Sequence, residues 1–401
     1  YKPDAALSVP EVSAKPTKEQ VYEAKRMLIE EILADFPLGA LTRPEIVEQA
    51  LNGVGVPAVT NMMAMMLLPF MREMVSGPTP GHLVVKPAPG TGASLMVDVF
   101  SIIATGQVTP ALAMPGNKDE MSKTLTSVLS NGQNIVFFDN INHSVDSGEL
   151  ASAMTTPTYQ ARVLGKSQTI EVDVRCAWVF TGNNVTLSPE LVRRLIMIDL
   201  DARLENPEMR EGFRHDDIRG WATDNRGKLV GACLTIIQNW VAQGMVHQKE
   251  LNLASYENWS GAVGGVLAAA GLGGFIGNRD ALKASSTDNE GDDVILLLEA
   301  WWDSFGTKTA TTKGDGDKII GLIELAVAED LSLPVRKEMN ADGVRTFNSA
   351  SFGTFLGKYK SRVFRLEDGQ QVTVVRNNKR TKRGYLWNLE PVANAPKGNV
   401  Q

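Results

Sequence analysis

The sequence predicts an α/β fold, a mainly parallel sheet covered by helices, with helical regions on both sides and a C-terminal domain of helices followed by a hairpin. Two observations carry this. Short apolar runs at 83–85, 135–138, 177–181 and 195–200 alternate with Gly-rich or polar loops and helical stretches, the texture of strands buried on both faces. Near the C-terminus, helical spacing gives way to two short strands flanking a basic tip.

The elements follow in order. Residues 1–17 carry Pro3, Pro10 and Pro16 without apolar period and read as a linker. Thr17 is a candidate N-cap for a helix running through Val21, Met27, Leu28 and Ile32 to Phe36. Helices near 43–52 and 57–74 complete an N-terminal helical region, 18–80. Met62, Met63, Met65 and Met66 in the last of these are either core filler or an adaptable binding face. An α/β core follows at 81–203, then a helical region, 204–290, with a long amphipathic stretch at 218–244 broken by Gly227. The polar, Gly- and Asp-rich segment 285–293 marks the next boundary. The last domain, 291–401, predicts helices around 294–305, 318–331 and 349–359 and strands at 371–376 and 384–389, a winged helix-turn-helix pattern.

Composition narrows the function classes. A chain of 401 residues, 43% hydrophobic, has material for several cores. Its 40 Lys and Arg against 46 Asp and Glu leave a net charge of −6, so a surface for nucleic acid must be local. Cys176 and Cys233 lie far apart inside apolar runs, which fits reduced thiols and a cytoplasmic setting, and the two cysteines and 4 histidines have no zinc-ligand spacing. The most apolar stretch, 59–71, contains Pro69 and falls short of the roughly 20 residues that span a bilayer. No signal peptide is legible, and Tyr1 in place of an initiating Met is what a piece of a longer protein would show.

Chemistry gathers at the ends of the predicted strands. After 83–85 come Lys86, Pro87, Ala88, Pro89, Gly90, Thr91, Gly92, Ala93 and Ser94, with a helix starting at Leu95. Strand, Gly-rich turn, helix is the setting of a phosphate-binding loop, where backbone N–H groups and a helix N-terminus wrap an anion. Ser94 stands where a Mg²⁺-binding hydroxyl is needed, but Ala93 occupies the lysine position and Pro87 the first glycine position. A purely structural glycine turn is the competing reading. The run 135–138 ends in Asp139, a carboxylate placed to hold Mg²⁺ at the sheet edge, followed by Asn140 where a Glu would polarise water. The run 177–181 leads into Gly182, Asn183 and Asn184, amides placed to sense a γ-phosphate, or else a turn. Arg193 and Arg194 precede the next strand and suit an arginine finger reaching a neighbouring subunit; surface arginines at a helix end are the alternative.

These residues, with Arg162 to Lys166, Phe213 to His215 and Trp259 to Phe275, resemble the AAA+ helicases of phages, plasmids and integrated elements, close to superfamily 3 and often joined to a primase. The resemblance covers residues 81–280 well, the C-terminal domain loosely and the first 80 residues poorly. It implies an AAA+ P-loop core binding ATP and Mg²⁺ through Pro89, Gly90, Thr91, Gly92, Ala93, Ser94 and Leu95. It further implies a homo-oligomeric ring, expected to be a hexamer, with single-stranded DNA in its channel, and a basic hairpin carrying Arg162 and Lys166 that faces the channel or the nucleotide. In similar sequences the loop also reads Gly-Thr-Gly-Ala-Ser, so a lysine from elsewhere, Lys166, Lys123, Lys118 or Lys86, must take over.

The C-terminal segment adds Lys358, Lys360, Arg362, Arg365, Arg376, Lys379, Arg380, Lys382 and Arg383 against Glu367 and Asp368, a local basic stripe suited to duplex phosphates. A winged helix that mediates protein contacts is the other possibility. The expectation is therefore a ring-forming DNA helicase for replication of a mobile element. Its rivals are a hydrolysis-deficient DNA-binding assembly or initiation protein, and a loader or chaperone acting on protein.

Overall fold

The computed structural model describes residues 7–162, 169–183, 185–251, 253–284, 289–314, 321–331, 333, 335–339, 345–360, 363–381 and 384–392. The chain divides into two compact units, Tyr1–Thr287 and Asp288–Gln401.

In the first unit, helices α1 (Lys18–Glu31), α2 (Arg43–Leu51) and α3 (Pro57–Met71) precede β1 (Gly81–Lys86) and α4 (Ala93–Thr105). Next come β2 (Ala111–Leu112), α5 (Lys118–Ser130), β3 (Ile135–Ile141), α6 (Gly148–Thr155) and the hairpin β4 (Thr158–Arg162) with β5 (Thr169–Asp173). β6 (Ala177–Asn183), the short α7 (Pro189–Val192) and β7 (Leu195–Asp199) complete the sheet, and α8 (Ile218–Asp224), α9 (Arg226–Ala242), α10 (Glu257–Ala269) and α11 (Arg279–Ala284) follow.

The five sheet strands run parallel in the order β2-β3-β6-β1-β7. Alternation sends Val84, Phe137, Val179 and Ile196 into one core, with α3, α4, α9 and α10. Leu83, Phe138, Phe180 and Leu195 go into the other, with α5 and α6. Both faces are therefore apolar, which is why the strands read as continuous runs. β6 follows β1 and β3 in the chain yet lies between them, pairing Val84 with Thr181, Lys86 with Asn183 and Phe138 with Phe180.

The flanking helices have local causes. Thr17 caps α1 through a capping box, its hydroxyl accepting from the Gln20 amide (3.2 Å) while its own amide donates to Gln20 Oε1 (2.9 Å). α3 is buried nearly all round, with Met62, Met63, Met65 and Met66 at most 1% exposed, so its methionines are core. The break between α8 and α9 falls at Asn225 and not at Gly227. Gly227 instead makes room for the N-terminal segment. A Cβ there would meet the Ser8 carbonyl oxygen at 2.0 Å, because residues 7–14 run along α9, held in part by Gln238 Nε2 donating to the Ala14 carbonyl (2.9 Å). Residues 204–217 carry no α-helix, only a 3₁₀ turn at Pro207–Met209.

The second unit contains α12 (Asn289–Phe305), β8 (Ala310–Thr311), α13 (Leu322–Ala328), β9 (Lys337–Met339), β10 (Arg345–Phe347), α14 (Ser349–Lys358), β11 (Val363–Arg365), β12 (Gln371–Thr381) and β13 (Gly384–Pro391). The strands β11-β12-β13-β8 form an antiparallel sheet, and β9 pairs with β10. Its core is built on Trp301, Phe352 and Trp387.

One buried carboxylate ties together parts of the first unit that are far apart in the chain. Asp35, 5% exposed, accepts from the Arg43 guanidinium (2.5 Å) and from the backbone amides of Arg214 (2.8 Å) and His215 (3.1 Å). It thereby fastens the chain between β7 and α8 to the turn after α1. Beside it, His215 stacks on Trp221 (4.1 Å) with Nε2 3.0 Å from Glu31 Oε2. Replacing Asp35 with Ala leaves one guanidinium and two amides uncompensated, a loss of about 2–4 kcal/mol. We expect a lower urea midpoint and faster tryptic cleavage at Arg210 and Arg214; an unchanged cleavage rate would show that the loop is held elsewhere.

His82, at 0% exposure in β1, has no hydrogen-bond partner for either ring nitrogen among the described residues and lies edge-on to Trp259 (6.0 Å). Burial lowers its pKa from 6.5 to about 3. Above pH 6.5 it is neutral folded and unfolded and has no effect. As pH falls from there towards 3, the unfolded chain binds the proton first and stability drops by about 1.4 kcal/mol per pH unit. Denaturant unfolding at pH 6.5 and 5.5 should show part of this slope, and His82→Leu should flatten it; an equal slope in the variant assigns the effect to other groups.

Candidate functional site

The C-terminal ends of β1, β3 and β6 converge, and the residues there come from the strand ends and the first turn of α4. The loop after β1 turns through Gly90 (φ +81°) and Gly92 (φ +90°), the latter being the N-cap of α4. Both glycines are needed for conformation, and Gly90 also for space: a Cβ there would lie 2.8 Å from Glu208 Oε2 and 3.2 Å from the Glu208 backbone nitrogen. Thr91 is buried and donates to the Ala88 carbonyl (3.3 Å); Pro89 is exposed. Ala93, 1% exposed, turns its methyl into the core.

Asp139 is the junction. Ser94 Oγ donates to its two carboxylate oxygens (2.9 and 3.0 Å), and Thr181 Oγ1 donates to Oδ1. The same Thr181 oxygen accepts from the Asn140 amide (2.9 Å), fixing Asn140 at φ +52° with its side chain exposed. One strand end, one helix start and the strand between them thus meet on one carboxylate, which has no ion pair among the described residues. Asn183, two residues beyond Thr181 on β6, has a buried Oδ1 without a hydrogen-bond partner among the described residues.

Beside the glycine loop is a cavity of about 180 Å³, bounded by Phe36, Thr91, Leu95, Pro207, Phe213 and Ile218. Its outer wall is the chain that Asp35 pins. Phe36 packs on the inner side, 3.6 Å from where a Gly92 Cβ would stand, and Arg210 lies over the Phe213 ring (4.6 Å). Sequence patterns do not single out Asp35, Phe36, Pro207 or Glu208; the sole hint in this region is the stretch from Phe213 to His215.

The other predicted residues are distributed unevenly. Arg194 is committed within its own chain, donating to the Ala151 (3.0 Å) and Glu190 (2.5 Å) carbonyls and pairing with the Glu190 carboxylate (3.3 Å). Arg193 is exposed. Lys118 pairs with Glu149 (2.8 Å) and Lys123 with Glu120 (2.5 Å), both lysines being on α5. Asn184 and Lys166 lie outside the described residues, as does the side chain of Arg162 at the end of β4. In the second unit Lys358 ends α14, exposed Lys360 bridges to Val374, and Arg376 on β12 lies over the Tyr385 ring (3.5 Å). Arg362, Lys382 and Arg383, and the side chains of Lys379 and Arg380, fall outside the described part.

No cluster of three or more His, Cys, Asp or Glu suited to a metal occurs among the described residues, so any cation here would rest on Asp139 and Ser94 with non-protein ligands. Burial pushes the Cys176 and Cys233 thiols up to about 12, which removes them as nucleophiles. No described helix is long and apolar enough to cross a membrane.

No protein-family model matches the chain, and no curated protein matches it by sequence. Among solved structures it is similar to the apo A form of the NrS-1 C-terminal region, at 11% identity over 86% of this chain and 78% of that one, with a TM-score of 0.42. It is also similar to JCV helicase in two structures. One, with a bound thiazolopyridine acetamide, matches at 12% identity over 55% and 61% of the two chains, TM-score 0.26; the other matches at 10% identity over 70% and 71%, TM-score 0.24. At these scores the residues themselves carry the functional reading.

Proposed function

We propose that the chain is an ATP-dependent DNA helicase or translocase of the AAA+ kind, acting as a homo-oligomeric ring in the replication of a mobile element. The observation that supports this most is the contact of Ser94 with Asp139, braced by Thr181, beneath a glycine loop at the start of α4. The Ser94 hydroxyl and the Asp139 carboxylate, in contact at 2.9 Å, are oxygen donors of the kind Mg²⁺ takes and would together hold it. Mg²⁺ bound there would offset charge on the β- and γ-phosphate oxygens of ATP.

The chain's own groups do the rest. Backbone N–H groups from Gly90 to Ser94, after Pro89 in the loop, and the first turn of α4 bind the phosphates, and the cavity beside Leu95, walled by Phe36 and Phe213, takes the base. Asn183, whose amide oxygen has no partner among the described residues, orients the attacking water through that oxygen or senses the γ-phosphate through its NH₂ group, and Asn184 is the other candidate for this role. Arg193 reaches a neighbouring subunit's nucleotide, since Arg194 is occupied at home. The second unit, with three helices and an antiparallel sheet among its described residues, serves as a winged-helix module whose Lys358, Lys360 and Arg376 meet duplex phosphates. A hexamer around single-stranded DNA, a primase partner and a cytoplasmic setting belong to the same reading.

Ala93 and Asn140 favour one second reading, a DNA-binding assembly or initiation protein that holds nucleotide without hydrolysing it. The test is steady-state ATP hydrolysis with Mg²⁺, with and without single-stranded DNA, beside Asp139→Ala. DNA-stimulated turnover that falls on the order of 100-fold in the variant is expected of a motor. DNA binding without turnover selects the second reading, and absence of both nucleotide and DNA binding overturns the two together.

A further inference from the structure

We infer that Lys86 supplies the phosphate-binding positive charge that the glycine loop lacks at Ala93. This rests on the nucleotide reading above and adds the residue that makes the altered loop workable.

The placement follows from register. Parallel partners in a sheet present their side chains to the same face, from strands about 4.8 Å apart. Val84 pairs with Thr181 and Lys86 with Asn183, so Lys86 lies on the face that carries Thr181, two residues nearer the strand's C-terminal end. Thr181 touches Asp139, and Asp139 touches Ser94. A lysine stem reaches about 6 Å, enough to carry an ammonium from the end of β1 into the space above that contact. Pro87 disfavours a helical turn at Lys86 and keeps it extended, in register up to the loop.

Charge accounting points the same way. Lys86 is half-buried at the end of β1, an inner strand of the sheet, with no ion pair or hydrogen bond from its side chain among the described residues. Lys118 and Lys123 are each paired with a glutamate on the α5 side of the sheet. In register beside Lys86 stands the orphaned Asn183 Oδ1. An ammonium has three donors: one can settle on that amide oxygen, which leaves two for phosphate oxygens. The amide would then hold the lysine in place as well as face the nucleotide.

The experiment is a fluorescence titration of the full chain with Mg²⁺ and a fluorescently labelled ATP, using the unaltered protein and Lys86→Gln, Lys86→Arg and Lys118→Gln, with thermal melting to monitor folding. Lys86→Gln should weaken binding about tenfold or more at an unchanged melting temperature, Lys86→Arg should recover most of the loss, and Lys118→Gln should bind as the unaltered protein does. Tight binding by Lys86→Gln overturns the inference and leaves the nucleotide reading standing. Equal losses in the Gln and Arg variants also overturn it, since the charge would then not matter. If the unaltered protein binds no labelled ATP, the nucleotide reading falls and this inference with it.

Discussion

A carboxylate at the end of a buried strand needs polar partners, and Asp139 accepts hydrogen bonds from two hydroxyls. Ser94 arrives from the first turn of α4 and Thr181 from the neighbouring strand β6. That arrangement requires β6 to lie between β1 and β3, although it follows both in the chain. It also depends on the register: a slip of one residue would turn Thr181 to the opposite face, away from Asp139. With both faces apolar, the polar contact at the edge, and not the apolar rows, distinguishes one face of β6 from the other.

The same hydroxyl accounts for Asn140. By accepting from the Asn140 amide, Thr181 holds that residue at positive φ, a conformation Asn adopts more readily than most residues and Glu does not. A glutamate there would cost on the order of 1 kcal/mol in backbone strain. What reads in the sequence as a missing acid is thus, in the folded chain, a residue suited to its backbone. Ala93 has a similar logic: its methyl is packed inside, and the loop is shaped by its glycines and by close approach to Glu208.

The strands and their terminal residues are legible in the sequence because strands buried on both faces appear as uninterrupted apolar runs, with polar groups only where the run meets the edge. Asp139, Ser94 and Asn183 stand out for this reason. Thr181 shows in the sequence merely as the end of a run; its role depends on which strand lies beside it, and strand order is not written in periodicity. Asp35 is not legible at all, because an aspartate in a helix-following turn gains meaning only from amides near residue 214. The segment at 204–217 looks helical in composition but is spent on reaching that aspartate and walling the cavity. In the second unit, strands as short as Ala310–Thr311 and Val363–Arg365 contain too few residues to show alternation.

The pair Arg193 and Arg194 illustrates why spacing alone cannot divide labour between neighbours. Successive residues at a helix end point in different directions, so one of two adjacent arginines can face inward while the other faces out. Arg194 faces in: it gathers the Ala151 carbonyl, the Glu190 carbonyl and the Glu190 carboxylate, and so ties α7 to α6 directly behind the start of β7. Its removal would disturb the sheet edge of its own subunit, and a loss of activity there would say little about a neighbour. Arg193, exposed on the same turn, has no such duty among the described contacts, so under the proposed ring it is the arginine whose loss would report on a trans contact.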